Sequence, residues 1–198
     1  MATSEHYFTS LYADDDPFGY RDRWYEARKR ELLLACLPHP RFATAWEIGC
    51  SNGELTARLA ERCGHILATD LSARAVALAT ARNAAHANVH VEQSTHPEQW
   101  PDGRYDLIIL SEVGYYLDPA DLTRCARGIR SSLDPLGTVV ACHWRQPFEQ
   151  AVQTAEAVHA LLNQELGMST LLLYRDDDIL LEAWTPHGRS VAQWEGLA

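Results

Sequence analysis

Residues 44–70 constrain the fold of this chain more than any other part of its sequence. An apolar run ends at Glu47, and a turn containing Gly49 and Gly53 follows it. The next ten residues carry leucines at helical spacing, and a second apolar run ends at Asp70. Strand, glycine turn, helix, strand and terminal acid form the layout of a nucleoside-binding βαβ unit.

The spacing of the glycines distinguishes two classes of ligand. A dinucleotide fingerprint, G-x-G-x-x-G, counted from Gly49, requires glycine where this chain has Ser51 and Glu54. A carboxylate at position 54 would lie at the helix N-terminus, where a pyrophosphate binds. The pattern E-x-G-x-x-x-G of Glu47, Gly49 and Gly53 instead resembles motif I of class I S-adenosylmethionine (SAM) methyltransferases, whose ligand has no phosphate. An ordinary glycine turn in another α/β protein is the alternative.

The remaining segments continue the alternation of strands and helices. Predicted strands span 43–48, 66–70, 88–92, 106–110 and 138–143, and a terminal hairpin spans 171–174 and 179–184. Predicted helices span 22–37, 54–63, 73–86, 119–133 and 148–166. This order is typical of an α/β, Rossmann-like, seven-stranded class I methyltransferase sheet with a terminal antiparallel hairpin. We expect the aromatic, acidic residues 1–20 to pack as a lid over the site.

Length and charge limit the organisation and the partners. A chain of 198 residues suits one domain over 1–198, with a lid and entry helix in 1–40 and a core over 41–185. A net charge of −10 argues against nucleic acid and anionic membranes, which bind clustered Lys and Arg. The N-terminus does not resemble a signal peptide, and no run of about 18 apolar residues is present. We therefore expect a cytoplasmic protein that binds neither.

The cysteines and histidines do not form a metal-binding pattern. Five cysteines without C-x-x-C spacing are typical of free thiols in a reducing compartment. No H-E-x-x-H motif is present either, so we predict no metal site.

Ligands of doubly wound sheets bind beyond the carboxyl ends of the strands. The predicted loops at this edge span 49–53, 70–72, 94–97, 111–116 and 143–147. The resemblance to class I methyltransferases implies that Glu47 orders the glycine turn and that Asp70 holds the ribose hydroxyls, although Asp70 could instead cap a helix. Many relatives have an Asp near position 95 that binds adenine; this chain has Thr95, followed by His96. The expected cofactor-binding residues are Glu47, Gly49, Cys50, Gly53, Asp70, Leu71, Thr95, His96, Ser111, Glu112 and Arg28.

A second resemblance is narrower. Residues 111–117, Ser-Glu-Val-Gly-Tyr-Tyr-Leu, resemble a stretch of the rhizobial nodulation N-methyltransferases (NodS), which act on chito-oligosaccharide intermediates. Residues 15–18 and the entry helix that follows also resemble that family, and the similarity runs from about residue 12 to 185. The chain departs from the family at residues 143–145. The resemblance implies a SAM-dependent methyltransferase, as monomer or homodimer, with a small-molecule or oligosaccharide acceptor.

Candidate catalytic residues follow the fourth and fifth strands. His143 is the candidate base, because a histidine titrates near neutral pH, and a buried core histidine is the alternative. Glu112 contacts either the sulfonium of SAM or the acceptor, or is structural. Tyr115 and Tyr116 either shape the acceptor pocket or pack in the core, and Trp144 is expected at the same pocket. Arg28 is expected to meet the SAM carboxylate, with a simply packed entry helix as the alternative.

The predicted reaction is methyl transfer to a nitrogen or oxygen of a small polar or glycan-like acceptor. Two other functions stay open from the sequence: a nicotinamide-binding oxidoreductase that uses the same βαβ unit, and a non-catalytic SAM-binding module.

Overall fold

The computed structural model describes residues 5–198, whose centre is a seven-stranded sheet in the order β3-β2-β1-β4-β5-β7-β6. The strands are β1 (Phe42–Ile48), β2 (Cys63–Asp70), β3 (Val89–Gln93), β4 (Tyr105–Ser111), β5 (Leu133–Trp144), β6 (Ser169–Arg175) and β7 (Ile179–Thr185). Strands β1 to β5 are parallel, and β7 pairs antiparallel with both β5 and β6. The predicted α/β sheet with its terminal hairpin is confirmed.

Helices cover both faces of the sheet. They are α1 (Glu5–Leu11), α2 (Trp24–Cys36), α3 (Glu54–Ala60), α4 (Ala73–Arg82), α5 (Pro119–Ser132), α6 (Ala155–Leu166) and α7 (Val191–Trp194), with a 3₁₀ turn at Gly114–Tyr116. Alternate residues of strand β4 pack against the two helical layers. Leu107 and Ile109 contact the layer of α2 and α3, and Ile108 and Leu110 contact the layer of α5 and α6. Its continuous apolar run is that of a strand buried on both faces.

The order of the strands reverses at β1. This strand pairs with β2 on one side and with β4 on the other. The loops after β1 and β4 therefore diverge at their carboxyl ends and leave a crevice there, as in other doubly wound sheets.

Five predicted boundaries are wrong by three residues or more, among them the start of β5, at 133 rather than 138, and the end of α3, at 60 rather than 63. Helix α6 begins at residue 155 rather than 148, because the Thr154 side chain caps it by accepting from the Ala157 N–H at 3.2 Å. Helix α4 ends at residue 82, where Asn83 Nδ2 donates to the Ala79 carbonyl at 2.9 Å. Strand β2 begins three residues early, because Cys63 already pairs with Phe42 of β1.

Among residues 5–198, no helix has the length and apolar character that a membrane span requires.

Candidate active site

A cavity of about 810 Å³ opens at the carboxyl ends of β1, β2 and β4. This volume lies in the upper part of the range for small-molecule sites. A smaller pocket of about 40 Å³ adjoins it, and both are lined by Lys29, Gly49, Ser51 and Glu112. Lys29, Ser51 and Glu112 thus lie where the two spaces meet.

The two glycines of the turn after β1 do different things. Gly49 has φ +77° and lines the cavity, and a Cβ on it would lie 2.2 Å from Val113 Cγ2. Gly53 has φ +80°, but a Cβ there would lie 2.9 Å from Ala79 Cα of α4. The expectation that Gly53 admits the ligand is therefore wrong: it lines neither pocket and lets α3 and α4 pack closely.

The carboxylate of Asp70 ends β2 at the cavity. Its Oδ2 accepts from the Ser51 N–H and its Oδ1 from the Ser72 N–H, each at 2.9 Å. Burial raises the pKa of Asp70 from its ordinary value, although these backbone donors oppose the shift. Helix α4 is capped by the Ser72 hydroxyl and not by Asp70. Each carboxylate oxygen keeps capacity for another donor, which suits a diol.

Glu47 lies below the glycine turn and lines the smaller pocket. Thr56 Oγ1 of α3 donates to its Oε2 at 2.6 Å. Burial raises the pKa of Glu47 to about 8, so this acid is mostly neutral at pH 7. A neutral acid bonded to α3 connects the end of β1 to the helix that follows the turn.

A further part of the cavity wall comes from the loops after β2 and β3. Leu71, Ser94, Thr95 and His96 all line it. His96 is held at both ring nitrogens: Nε2 lies 3.0 Å from Thr69 Oγ1 and Nδ1 lies 2.7 Å from the Gln99 carbonyl oxygen. The side chain of Thr95 is exposed at this edge of the cavity.

A buried ion triad, which the sequence analysis missed, joins the entry helix to the loop after β4. Lys29 Nζ lies 2.9 Å from Glu26 Oε2 and 3.0 Å from Glu112 Oε1. Burial alone would lower the pKa of Lys29, but Glu112 and Glu26 outweigh it and raise the pKa above its ordinary value. The available signal was position: Lys29 precedes the buried Leu33 by four residues, on the same helical face.

Glu112 begins the loop after β4 and lies in the cavity wall. It has φ +61°, and its Oε2 accepts from the Tyr115 hydroxyl and, at 3.2 Å, from the Trp144 N–H. Positive φ is uncommon for a residue with a side chain and often marks functional positions. Ser111 also lines the cavity, and Cys50 lines the smaller pocket.

Aromatic rings form much of the cavity wall. Tyr116 meets Phe8 of α1 edge to face at a centroid distance of 5.0 Å, and Trp144 meets Tyr25 of α2 at 4.7 Å. The rings lining the cavity are Tyr7, Phe8, Tyr12, Phe18, Tyr20, Tyr25, Tyr115, Tyr116, Trp144 and Phe148.

His143 does not face the cavity, so the expectation that it lies beside the crevice is wrong. The residue is fully buried on the side of β5 that faces α6, and it lines neither pocket. Its Nε2 accepts from the Gly114 N–H at 3.0 Å, and its Nδ1 lies 3.0 Å from His159 Nε2. In this arrangement neither nitrogen is available to a substrate.

Arg28 also points away from both pockets. Its guanidinium donates to Tyr174 Oη at 2.5 Å and to Asp176 Oδ2 at 2.7 Å, on the β6–β7 hairpin. The expectation that it meets the SAM carboxylate is wrong, because one helical position separates it from Lys29 and turns it by about 100°.

The segment before α2 lies against the glycine turn. Tyr12 Oη donates to Ser51 Oγ at 2.6 Å, and Asn52 Nδ2 donates to Asp16 Oδ1 at 3.0 Å. Phe8 and Tyr12 are buried. The predicted lid begins at residue 1, and its first four residues lie outside the described part of the chain.

The fold and the site together define a nucleoside-binding α/β protein of the class I methyltransferase type. Residues 45–137 match the model of a methyltransferase domain. A crystal structure from Pseudomonas syringae, of a protein provisionally described as a methyltransferase, is 46% identical. It covers 82% of this chain and 99% of its own, with a TM-score of 0.74.

Two further relatives carry the name that residues 111–117 suggested. Nodulation protein S of Rhizobium tropici is 29% identical over 172 residues, which cover 84% of this chain and 72% of that protein. The N-methyltransferase NodS of Bradyrhizobium japonicum WM9, solved with S-adenosylhomocysteine (SAH), has the same fold, with a TM-score of 0.83 and 24% identity over 91% of this chain and 96% of that one. The chain belongs to the class I SAM-dependent methyltransferases and is NodS-like.

Proposed function

We propose that this enzyme transfers the methyl group of SAM to an amine nitrogen of a small polar acceptor. The observation that carries the proposal is the carboxylate of Glu112. It lies in the cavity wall at positive φ, next to a buried lysine, among aromatic rings. The description of NodS as an N-methyltransferase also supports nitrogen as the acceptor atom.

Four groups of this chain fit the parts of SAM. We assign the ribose hydroxyls to Asp70, whose oxygens each retain acceptor capacity. We assign the carboxylate of the amino acid end to Lys29, which lines both pockets. The backbone at Gly49 admits that end closely, and the loop containing Thr95 faces the adenine.

The protein contributes mainly alignment. SAM supplies a methyl group on a positively charged sulfur that is already a good leaving group, so bringing the attacking atom in line accounts for most of the catalysis. Glu112 accepts a hydrogen bond from the acceptor N–H and thereby directs the nitrogen lone pair. Its negative charge also stabilises the ammonium that forms as nitrogen gains the methyl group.

The geometry favours an amine over a hydroxyl acceptor. A neutral amine attacks with its own lone pair, whereas a hydroxyl needs its proton removed as the bond forms. His143 is occupied at both nitrogens away from the cavity. Both oxygens of Glu112 already have partners, Oε1 with Lys29 Nζ and Oε2 with the Tyr115 hydroxyl and the Trp144 N–H, so the side chain is held as an acceptor of hydrogen bonds.

Glucosamine and glucose test the choice of atom, because they differ at one carbon that carries an amine or a hydroxyl. Each sugar, and its short β-linked oligomers, is incubated with methyl-labelled SAM, and the products are mapped by mass spectrometry. We expect label on nitrogen of the amino sugar and none on glucose. Label on oxygen of both sugars would reject the amine, and label on neither would reject a sugar acceptor.

A further inference from the structure

A chain of buried polar groups runs beneath the acceptor side of the cavity. Gly114 N–H donates to His143 Nε2 at 3.0 Å, His143 Nδ1 lies 3.0 Å from His159 Nε2, and His159 Nδ1 lies 2.7 Å from Glu182 Oε2. His143 is fully buried and His159 is 3% exposed. The chain therefore links α6 and β7 to the loop after β4.

The hydrogen bonds determine the protonation pattern of the chain. A backbone N–H can only donate, so Nε2 of His143 must be bare and its proton must be on Nδ1. That proton points at Nε2 of His159, which must also be bare. The proton of His159 is then on Nδ1, where the carboxylate of Glu182 accepts it. Two neutral rings and one carboxylate satisfy every contact.

The loop is seated closely on this chain. A Cβ at Gly114 would lie 2.5 Å from Val158 Cγ1 and 2.9 Å from His143 Nε2, so only glycine lets the backbone reach the ring. Tyr115 packs edge-on against His143 at a centroid distance of 5.2 Å. The next contact along the loop is Tyr115 with Glu112. The position of the ring thus bears on both side chains that face the acceptor.

We propose that His143 is a positioning residue, held in one tautomer by His159 and Glu182, and that it fixes the loop 112–116 so that Glu112 meets the acceptor. The loop part of this proposal stands on its own geometry. The last step, from loop to acceptor, rests on the proposed function.

Two substitutions at position 159 separate tautomer control from packing. In His159→Gln, the amide oxygen can accept from His143 Nδ1–H, so the bare Nε2 under Gly114 is kept. In His159→Leu, the acceptor is gone, and the Nδ1–H of His143 is left buried without a partner, so the ring is no longer held in place under the Gly114 N–H. Leu162→Ala is the matched control, because Leu162 is fully buried on the same helix and cannot hydrogen-bond.

Nuclear magnetic resonance with ¹⁵N-labelled histidine reads the tautomers directly. We expect His143 and His159 each protonated at Nδ1 and bare at Nε2. Hydrogen exchange at the Gly114 amide should accelerate about tenfold or more in His159→Leu, because the hydrogen bond that protects this amide is lost. It should change far less in His159→Gln and Leu162→Ala. A proton on Nε2 of His143, or an unchanged Gly114 amide in His159→Leu, would overturn the proposal.

Kinetics test the step from loop to acceptor. With glucosamine as the probe, His159→Leu should lower kcat about tenfold or more while SAH affinity stays unchanged, since misplacing Glu112 affects the reaction and not the cofactor. His159→Gln should restore most of the rate. An equal loss of kcat in His159→Leu, His159→Gln and Leu162→Ala would mean that His159 contributes only packing. If glucosamine is not methylated at all, the proposed function fails. Hydrogen exchange at the Gly114 amide still tests whether His143 fixes the loop 112–116.

Discussion

The two sides of the cavity are built from different kinds of contact. On the cofactor side, Asp70 is held by backbone N–H groups of Ser51 and Ser72, both close to it in the fold of one βαβ unit. On the acceptor side, Glu112 has one backbone donor, the Trp144 N–H at 3.2 Å, and is otherwise held by the side chains of Lys29 and Tyr115, which come from different elements. Backbone contacts survive most substitutions nearby, whereas both carboxylates of the ion triad depend on the one side chain of Lys29. The acceptor side should therefore be the more fragile half.

Lys29→Met gives the largest expected effect. It leaves Glu26 and Glu112 buried without their cation, and breaking a buried ion pair in this way costs about 3–5 kcal/mol of the free energy of unfolding. Chemical denaturation measures the loss. Arg58→Met is the control, because Arg58 pairs with Glu31 at 2.6 Å on the surface, with 42% and 58% of the side chains exposed. That variant should lose less than about 1 kcal/mol. Equal losses in both variants would remove the distinction between the two halves.

Glu47→Gln tests the cofactor side through pH. Burial raises the pKa of Glu47 to about 8 from an ordinary value of 4.5. A group with a raised folded-state pKa contributes its full stability below the unfolded pKa and loses it as pH rises toward the folded pKa. Wild type should therefore lose stability relative to Glu47→Gln by roughly 1.4 kcal/mol per pH unit, or about 3 kcal/mol between about pH 5 and pH 7.5.

The measurement is the difference in unfolding free energy between Glu47→Gln and wild type at several pH values. Glu61→Gln, at an exposed carboxyl just after α3, is the control for the same chemical change at the surface. A difference for Glu47→Gln that does not change with pH would mean that Glu47 is charged in the folded protein.

Local pattern predicted the sheet and the position of Asp70 at the end of β2. Each strand of the βαβ unit is a short apolar run bounded by turn residues, and Asp70 sits at a strand end whose direction is known once the unit is recognised. Such features need only neighbours in the sequence. The predicted strands and the terminal hairpin accordingly match the structure within a few residues, except at the early start of β2 and the irregular start of β5.

Side-chain direction on the acceptor side could not be read in the same way. Along β5, Val139 and Ala141 face α5 and α6 while Val140 and Cys142 face α2, so His143 falls on the α6 side. That parity is visible in sequence, but which face borders the cavity depends on where α2 packs. The same uncertainty, about which face of α2 borders the cavity, is why Arg28 and not Lys29 was predicted to meet the SAM carboxylate. Gly53 was misassigned because its steric neighbour, Ala79, lies on another helix.

Asp70→Ala tests whether the cofactor side binds through this carboxylate. Removing a charged acceptor should weaken SAH binding by about 1.5–3 kcal/mol for each hydroxyl bond lost, which calorimetry measures. Asp106→Ala is the matched control. Asp106 also accepts from two backbone N–H groups, those of Ala43 at 2.7 Å and Thr44 at 2.9 Å, but at the opposite ends of the strands. Unchanged SAH affinity in a folded Asp70→Ala, or equal weakening in Asp106→Ala, would contradict the assignment of Asp70 to the ribose.

Glu112→Gln should give the smallest effect, and it separates the position of a charge from the number of charges. Two carboxylates share Lys29, so neutralising one leaves a balanced pair with Glu26 and the fold should persist. An amide at 112 still accepts a hydrogen bond from the acceptor but cannot offset the ammonium that forms. We expect kcat on an amine acceptor to fall about tenfold, equivalent to roughly 1.4 kcal/mol of transition-state stabilisation, with SAH affinity nearly unchanged.

Glu26→Gln is the control, because it removes the same charge from Lys29 without touching the 112–116 loop. If both variants lose kcat equally, the total charge around Lys29 governs the rate. The position of the Glu112 carboxylate then has no separate effect on the reaction.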